Sequence, residues 1–387
     1  MSEIFIPTDE KQLSEIIADA NANETSLRIK AGGTRQGLGN LVKAKATLSL
    51  EKISGIKLYE PDALTLIAKA GTPLKTIEKL LKKEKQRFAF EPMDHQFIFN
   101  SKGDPTIGSI VACNISGSRR IYGGACRDAL IGVRFVNGNG AIIKNGGRVM
   151  KNVTGLDITK LMACSFGSLG VLSEVAFKLI PMVEREVTLV IHSLVTKEAI
   201  KIMAKALNSP FEITGAAFIP NDKNGSKTLL RIEGFSSQVD YRIKSLKELF
   251  AIKNEIEVIE DKKHEDLWKS INNAQVFKKS KNPIWRIVAK PSDAIKIETE
   301  IKDKLDAQVF YDWGGGLIWV LMNENEAKYD VMRHIANQVN ANATLMRSSD
   351  ESYNNFQPQS EGVIKLSKAI ARKFDAKGIL NPNIMGF

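Results

Sequence analysis

Residues 27–40 read LRIKAGGTRQGLGN. Leu27, Ile29 and Ala31 alternate with polar neighbours, the period-two mark of a short strand. The strand runs straight into Gly32 and Gly33, then Thr34, Arg35, Gln36, Gly37 and Gly39. Glycine lets the backbone approach a ligand closely and adopt positive φ. Successive N–H groups in such a turn form a concave anion site, and Arg35 adds a charge-assisted donor. A strand that ends this way suits a bound diphosphate. The competing reading is a plain glycine-rich turn, because glycine clusters commonly punctuate loops. The rest of the chain has to decide between them.

Working outward, the β-then-glycine order lacks G-x-G-x-x-G spacing, and no clear helix follows Gly39, which disfavours a nicotinamide-type Rossmann domain. Upstream, Thr8 is a candidate cap for a helix whose face is Leu13, Ile16, Ile17 and Ala20. Downstream, Ala46–Leu50 and Leu64–Ala70 read as strands. At Gly71-Thr72-Pro73, Thr72 is a candidate N-cap and Pro73 a first helical residue. The stretch PTIGSIVACNISGS, residues 105–118, is rich in small residues that let a flat ligand lie against the backbone. GVRFVNGNGAII, residues 132–143, reads as a hairpin turning through NGNG. Glycines 167 and 170 precede a strand from Val171 to Leu179 that carries Glu174 among apolar residues.

After Pro181 glycine becomes sparser, and strands alternate with amphipathic helices. Val187–Ile191, Thr228–Ile232, Trp285–Ala289 and Leu317–Met322 read as strands. Ala327, Val331, His334 and Ile335 form one helix face, and Val363, Leu366, Ile370 and Phe374 the inward face of the last helix. This order suits an α+β domain with a sheet covered on one side. The expected division is 1–181, 182–345, and a 346–387 tail returning to the first domain.

The chain has 387 residues, 43 % apolar and 26 % charged, with formal net charge +11. These are ordinary values for a globular protein with a large core. The basic residues are dispersed along helical faces and aromatics are only 7 %, which argues against a nucleic-acid binder. The excess suits an anionic ligand. Cys113, Cys126 and Cys164 form no CxxC pair, so a zinc or iron–sulfur site is not expected. The start shows no apolar h-region, so no signal peptide is expected, and no run of about 18 apolar residues spans a membrane.

Five pieces stand together in one order: AGGT at 31–34, PTIGS at 105–109, NGNG at 137–140, GSLGVLSE at 167–174 and GILNP at 378–382. In this the chain resembles the FAD-binding superfamily of vanillyl-alcohol oxidase and para-cresol methylhydroxylase. VMKNVTGLDITKLM at 149–162 and DWGGGLIWV at 312–320 narrow the resemblance to the smaller FAD-binding subunits of bacterial glycolate oxidases. The resemblance implies an α+β fold: a two-lobed PCMH-type FAD-binding domain followed by a ferredoxin-like α+β cap. It implies that Gly32, Gly33, Thr34, Arg35 and Gly37 wrap the FAD diphosphate. Pro105, Thr106, Gly108, Ser109, Ser116 and Gly117 would lie along the diphosphate and flavin. Gly170 and Val171 would offer backbone groups, and Asn381 would return to the flavin from the C-terminus. Gln36 and Leu38 stand where covalent members carry a flavin-linking His, so the FAD is expected to be non-covalent.

The resemblance also implies partners: a larger flavoprotein subunit and an iron–sulfur subunit, acting on glycolate at the cytoplasmic face of a membrane reached only through those partners. The alternative is a self-sufficient FAD-dependent 2-hydroxy-acid dehydrogenase. Larger family members use a His-x-His metal cluster, whereas His95, His192, His264 and His334 are far apart here. Arg286 and Arg347 are candidate cations for a carboxylate and His95 a candidate base. No catalytic constellation emerges from the sequence.

Overall fold

The computed structural model describes residues 3–147, 155–222, 225–250 and 256–386. Two compact units emerge: Met1–Ile115 with Gly124–Met182 and Pro358–Phe387, and Ser116–Gly123 with Val183–Gln357. The first six residues of the motif expected at 149–162, positions 149–154, lie outside the described residues.

The first unit begins with a parallel three-stranded sheet in the order β1 (Glu3–Phe5), β3 (Ala46–Ser49), β2 (Leu27–Lys30). Helix Glu10–Ala22 buries Leu13, Ile17 and Ala20 in the same apolar cluster as Leu27 and Leu48. Its cap is Asp9, which accepts from the Gln12 amide at 2.9 Å, rather than Thr8. The second sheet is antiparallel, β4 (Ile56–Glu60), β5 (Thr65–Lys69), β9 (Val171–Pro181), β7 (Leu130–Val136), β8 (Ile142–Gly146), with β6 (Gln86–Phe88) on the far end of β9. The NGNG hairpin joins β7 to β8 as expected. Glu174 is accommodated in β9 by Lys57 at 2.5 Å.

Helices Leu74–Lys83 and Ile107–Cys113 share the core of this sheet. The first begins at Leu74, with Pro73 as its extended N-cap rather than its first helical residue. Thr72 does not cap it, because its hydroxyl turns back to the Lys69 carbonyl at 2.6 Å. The final helix, Glu361–Phe374, uses only part of its expected face. Ile370 and Phe374 pack on the core, while Val363 and Leu366 are exposed. Helical period identifies an apolar stripe but not how far along it a neighbour reaches.

The second unit is built twice over. β10 (Arg185–His192), helix Thr196–Leu207, β11 (Gly215–Asp222), β12 (Gly225–Gly234), helix Ser236–Phe250 and β13 (Ile256–Ile259) form one βαββαβ half. β14 (Ile284–Val288), helix Ala294–Lys304, β15 (Ala307–Asp312), β16 (Leu317–Met322), helix Tyr329–Asn337 and β17 (Asn342–Arg347) form the other. The sheet runs β13-β10-β12-β11-β15-β16-β14-β17, so each half has ferredoxin-like order and the two second strands meet at Phe218 and Tyr311. Side chains alternate between faces. Val187, Phe218, Trp285, Tyr311 and Val320 point into the layer shared with the helices.

The intervening positions place Thr188, Arg231, Glu233 and Asp312 on the other face. Ser118 bonds Asp312 there at 2.6 Å, and Arg119 pairs with Glu233. In helix Tyr329–Asn337 the buried residues include Met332, Ile335 and Ala336. His334, expected inward, is exposed and meets Gln338 at 2.9 Å.

Candidate functional site

β2 delivers the chain to Gly32, where a Cβ would stand 1.7 Å from the Asp104 carbonyl oxygen. Only glycine lets the turn and the 103–104 loop approach this closely. Gly33 follows with φ +73°, and Thr34 is buried. Arg35 then crosses to the neighbouring segments, donating from Nη1 to Ser109 Oγ at 2.8 Å and from Nη2 to the Met93 carbonyl at 2.6 Å. Its Nε is buried and has no acceptor among the described residues. Burial pushes the guanidinium below its ordinary pKa, with Asp94 pulling the other way.

Helix Ile107–Cys113 forms a second wall. The Gly108 amide bonds the Ala70 carbonyl at 2.8 Å, and a Cβ on Gly108 would be 2.6 Å from that of Ala70. The small residues seat the helix directly on the end of β5. The loop from Ser165 to Gly170 and the start of β9 form a third wall. The C-terminal tail closes the ring through Asn381 and Ile384. These walls line one continuous cleft that is open to solvent.

The cleft brings together Gly32, Gly33, Thr34 and Arg35 with Gly108 and Ser109, and with Gly170, Val171 and Asn381. Thr106 stands behind Gly32, with Cγ2 3.4 Å from the Cβ position there. The Pro105 carbonyl holds the Leu74 amide at 2.8 Å. Gly37 is exposed beside the Phe99 ring. Ser116 and Gly117 belong to the second unit, where the Gly117 carbonyl accepts from Trp313 Nε1 at 3.1 Å. Within the first unit, Pro105, Thr106 and Gly37 do not line the cleft.

Sequence reading missed Cys113, Ser165 and Phe166 on its walls. Burial pushes the Cys113 thiol up to about 12, so it is a neutral lining group. Phe166 has φ +52°, rare for an aromatic residue, and its position directly before the GSLG glycines was the available signal. The charged side chains lining the cleft among the described residues are Arg28, Lys30 and Arg35, all cationic. A glycine cradle, three cations and an unspent buried guanidinium nitrogen fit an extended ligand with an anionic centre.

Residues 2–146 match the family model for an FAD binding domain. The chain carries an FAD-binding domain. This domain holds most of the cleft, including the glycine turn and the Ile107–Cys113 helix. Over 374 residues, 96 % of each chain, the protein is 29 % identical to the glycolate oxidase subunit GlcE of Escherichia coli K12. It is 28 % identical over 235 residues to the glycolate oxidase subunit GlcD of Bacillus subtilis, a match covering 60 % of this chain and 47 % of that one. Among solved structures, p-cresol methylhydroxylase with substrate bound superposes with a TM-score of 0.75 at 12 % identity, covering 99 % of this chain and 88 % of that chain. The fold expected from the sequence, a PCMH-type FAD-binding unit with an α+β ferredoxin-like unit, is therefore the fold observed.

Of the catalytic candidates, His95 does not line the cleft. His95 is fully buried, with Nδ1 3.2 Å from the Met93 carbonyl and its ring stacked on Phe99. Arg286 and Arg347 lie in the second unit. Arg286 faces the rings of Trp313 and Trp319, and Arg347 donates to the Asn282 and Ser280 carbonyls, each at 2.9 Å. His192 pairs with Glu257 at 2.9 Å, whereas His264 meets Thr188 at 2.9 Å and Glu186 at 3.4 Å. Among the described residues no group of three or more His, Cys, Asp or Glu side chains is placed to hold a metal ion.

Proposed function

We propose that this chain is the FAD-binding subunit of a glycolate oxidase (glycolate dehydrogenase) complex, supporting oxidation of glycolate to glyoxylate while electrons pass to partner subunits. The observation that carries the reading is the end-to-end match to GlcE, 96 % of both chains. Matches to hydroxy-acid dehydrogenases stop short of that: the D-2-hydroxyglutarate dehydrogenase of Xanthomonas citri pv. viticola matches 46 % of this chain and 36 % of its own length. The partners are a larger flavoprotein subunit and an iron–sulfur subunit. Among the described residues no helix is long and apolar enough to cross a membrane, which is consistent with attachment at a cytoplasmic face through those partners.

In this reading Gly32, Gly33 and Thr34 cradle the diphosphate with backbone N–H groups. Arg35 offers its unspent Nε, while Gly108 and Ser109 line the path towards the flavin. Pro105 and Thr106 support the turn from behind. When bound, the flavin would supply a redox group for relaying electrons within the complex, while a partner performs most of the substrate oxidation. The protein's own contribution is binding, orientation and exclusion of water from the cleft. Gln36 follows the turn where a covalent linkage would need a His, so the flavin is held by these contacts alone.

Purifying the chain alone and with its partners tests the reading. The expected preparation is yellow, and heat or acid releases all of its flavin. With glycolate and an electron-accepting dye, turnover is expected only in the assembled complex. Full turnover by the isolated chain, or anaerobic bleaching of its flavin by a hydroxy acid, would establish the self-sufficient dehydrogenase instead.

A further inference from the structure

We propose that the C-terminal tail, residues 375–384, is a latch that fixes the gap between two walls of the FAD cleft, with Asn381 as its positioning residue. The proposal rests on the cleft being the FAD site. The tail runs parallel to β2, immediately before the glycine turn. The Leu27 amide donates to the Ile379 carbonyl at 2.8 Å, and the Asn381 amide donates to the Leu27 carbonyl at 2.9 Å. The backbone pairing ends there. At the next amide of β2 a side chain takes over: Ile29 N–H donates to Asn381 Oδ1 at 2.8 Å.

The other end of the same side chain, Nδ2, donates to the Phe166 carbonyl at 2.8 Å. One planar amide thus joins the strand feeding the glycine turn to the loop that forms a neighbouring wall. Ile29, Phe166 and Asn381 all line the cleft.

Two requirements make this residue asparagine. It must donate and accept from one rigid group, which aspartate cannot do when ionised. It must also adopt φ +44°, which asparagine tolerates and most residues do not. The tail is fixed on either side of it. Asp375 Oδ2 accepts from the Leu380 amide at 2.8 Å, Ile379 and Leu380 are buried beside Leu27, and the Asn40 amide donates to the Ile384 carbonyl at 2.9 Å. With both side-chain atoms committed to protein, Asn381 acts on the cofactor through the walls that it joins.

Amide hydrogen exchange and FAD titration of the full chain test this. Asn381→Gly keeps the backbone conformation and removes both bonds. Exchange at Ile29 is expected to quicken about tenfold, with the 165–167 loop loosening alongside, and FAD affinity to fall about tenfold, the loss expected for one to two hydrogen bonds of this kind. Asn381→Asp keeps the acceptor for Ile29 and loses the donor to Phe166. The loop alone should then loosen while Ile29 stays protected, a split that a general loss of stability would not give.

Wild-type exchange at Ile29 in Asn381→Gly, or loosening of both walls together in Asn381→Asp, would overturn the latch. So would unchanged FAD affinity in Asn381→Gly. If the wild-type chain binds no FAD, the proposed function falls, and the latch is decided by the exchange pattern alone. If Asn381→Gly does not fold, the Asn381→Asp split decides it.

Discussion

Arg119 and Glu233 form an ion pair in which the two side chains are only 4 % and 2 % exposed. Glu233 also accepts from Thr214 at 2.8 Å and lies 3.1 Å from Arg231 Nε, while Arg231 stacks on Trp268 at 4.5 Å. Glu233 therefore faces two guanidinium groups, and Arg119 also lies 3.7 Å from Glu186. Breaking a buried pair leaves an uncompensated charge and costs about 3–5 kcal/mol. Arg119→Ala should fall at the low end, because Arg231 still faces the carboxylate. Glu233→Ala should cost more, because it removes the buried carboxylate that both guanidinium groups share, with Glu186 at 3.7 Å from Arg119 limiting the loss. Urea unfolding of both variants checks the order, and equal losses would contradict it.

Gly32 and Gly362 make opposite predictions for the same substitution. At Gly32 a Cβ meets the Asp104 carbonyl oxygen at 1.7 Å, so Gly32→Ala must push the turn away from the 103–104 loop. The purified variant should contain little flavin by absorbance. At Gly362, in helix Glu361–Phe374, a Cβ meets nothing within 4 Å. Gly362→Ala should keep its flavin and gain about 0.5–1 kcal/mol from helix propensity.

Acid should loosen the first unit through Glu10. Its carboxylate is opposed by burial, but bonds from Arg134 and Ser173 outweigh that and hold its pKa below the ordinary glutamate value. A depressed folded pKa gives stability that is present above the unfolded value, near 4.5, and lost as pH falls through the folded one. Glu10→Gln removes the charge on helix Glu10–Ala22 that ties it to β7 and β9. The variant should be about 1–2 kcal/mol less stable at pH 7. Unfolding measured from pH 7 to pH 3 should show the difference from wild type shrinking, and a constant difference would rule the assignment out.

What the sequence made readable was local. The β2–glycine turn, the NGNG hairpin and the small-residue helix Ile107–Cys113 each sit inside a window where period and turn chemistry suffice. The approach of Asn381 to Ile29 spans 352 positions, and nothing in either neighbourhood announces it. The doubling of the second unit lay between these extremes. Its strands and helices were visible singly, but their equivalence depends on sheet order, which pairing across the sheet decides. Val363, Leu366 and His334 erred for a related reason: each lies on a helix with a true apolar stripe, and exposure is set by the partner rather than by the stripe.

Arg35 joins the turn to its surroundings and also faces the cleft, and these two roles can be separated. Lysine at this position offers a point charge but not a planar fork, so Arg35→Lys should reach one of Ser109 and the Met93 carbonyl and not both. Methionine offers neither bond nor charge. If the cationic Nε serves the diphosphate, FAD affinity should drop in the order wild type, Arg35→Lys, Arg35→Met, with about tenfold or more lost at the last step. The loss should also depend on the ligand. Riboflavin, which has no diphosphate, should bind all three proteins with similar weak affinity, whereas FAD and ADP should lose affinity in parallel. Equal losses for riboflavin and FAD would mean that Arg35 shapes the cleft without meeting the diphosphate. Flavin fluorescence titration of the three proteins distinguishes the two outcomes.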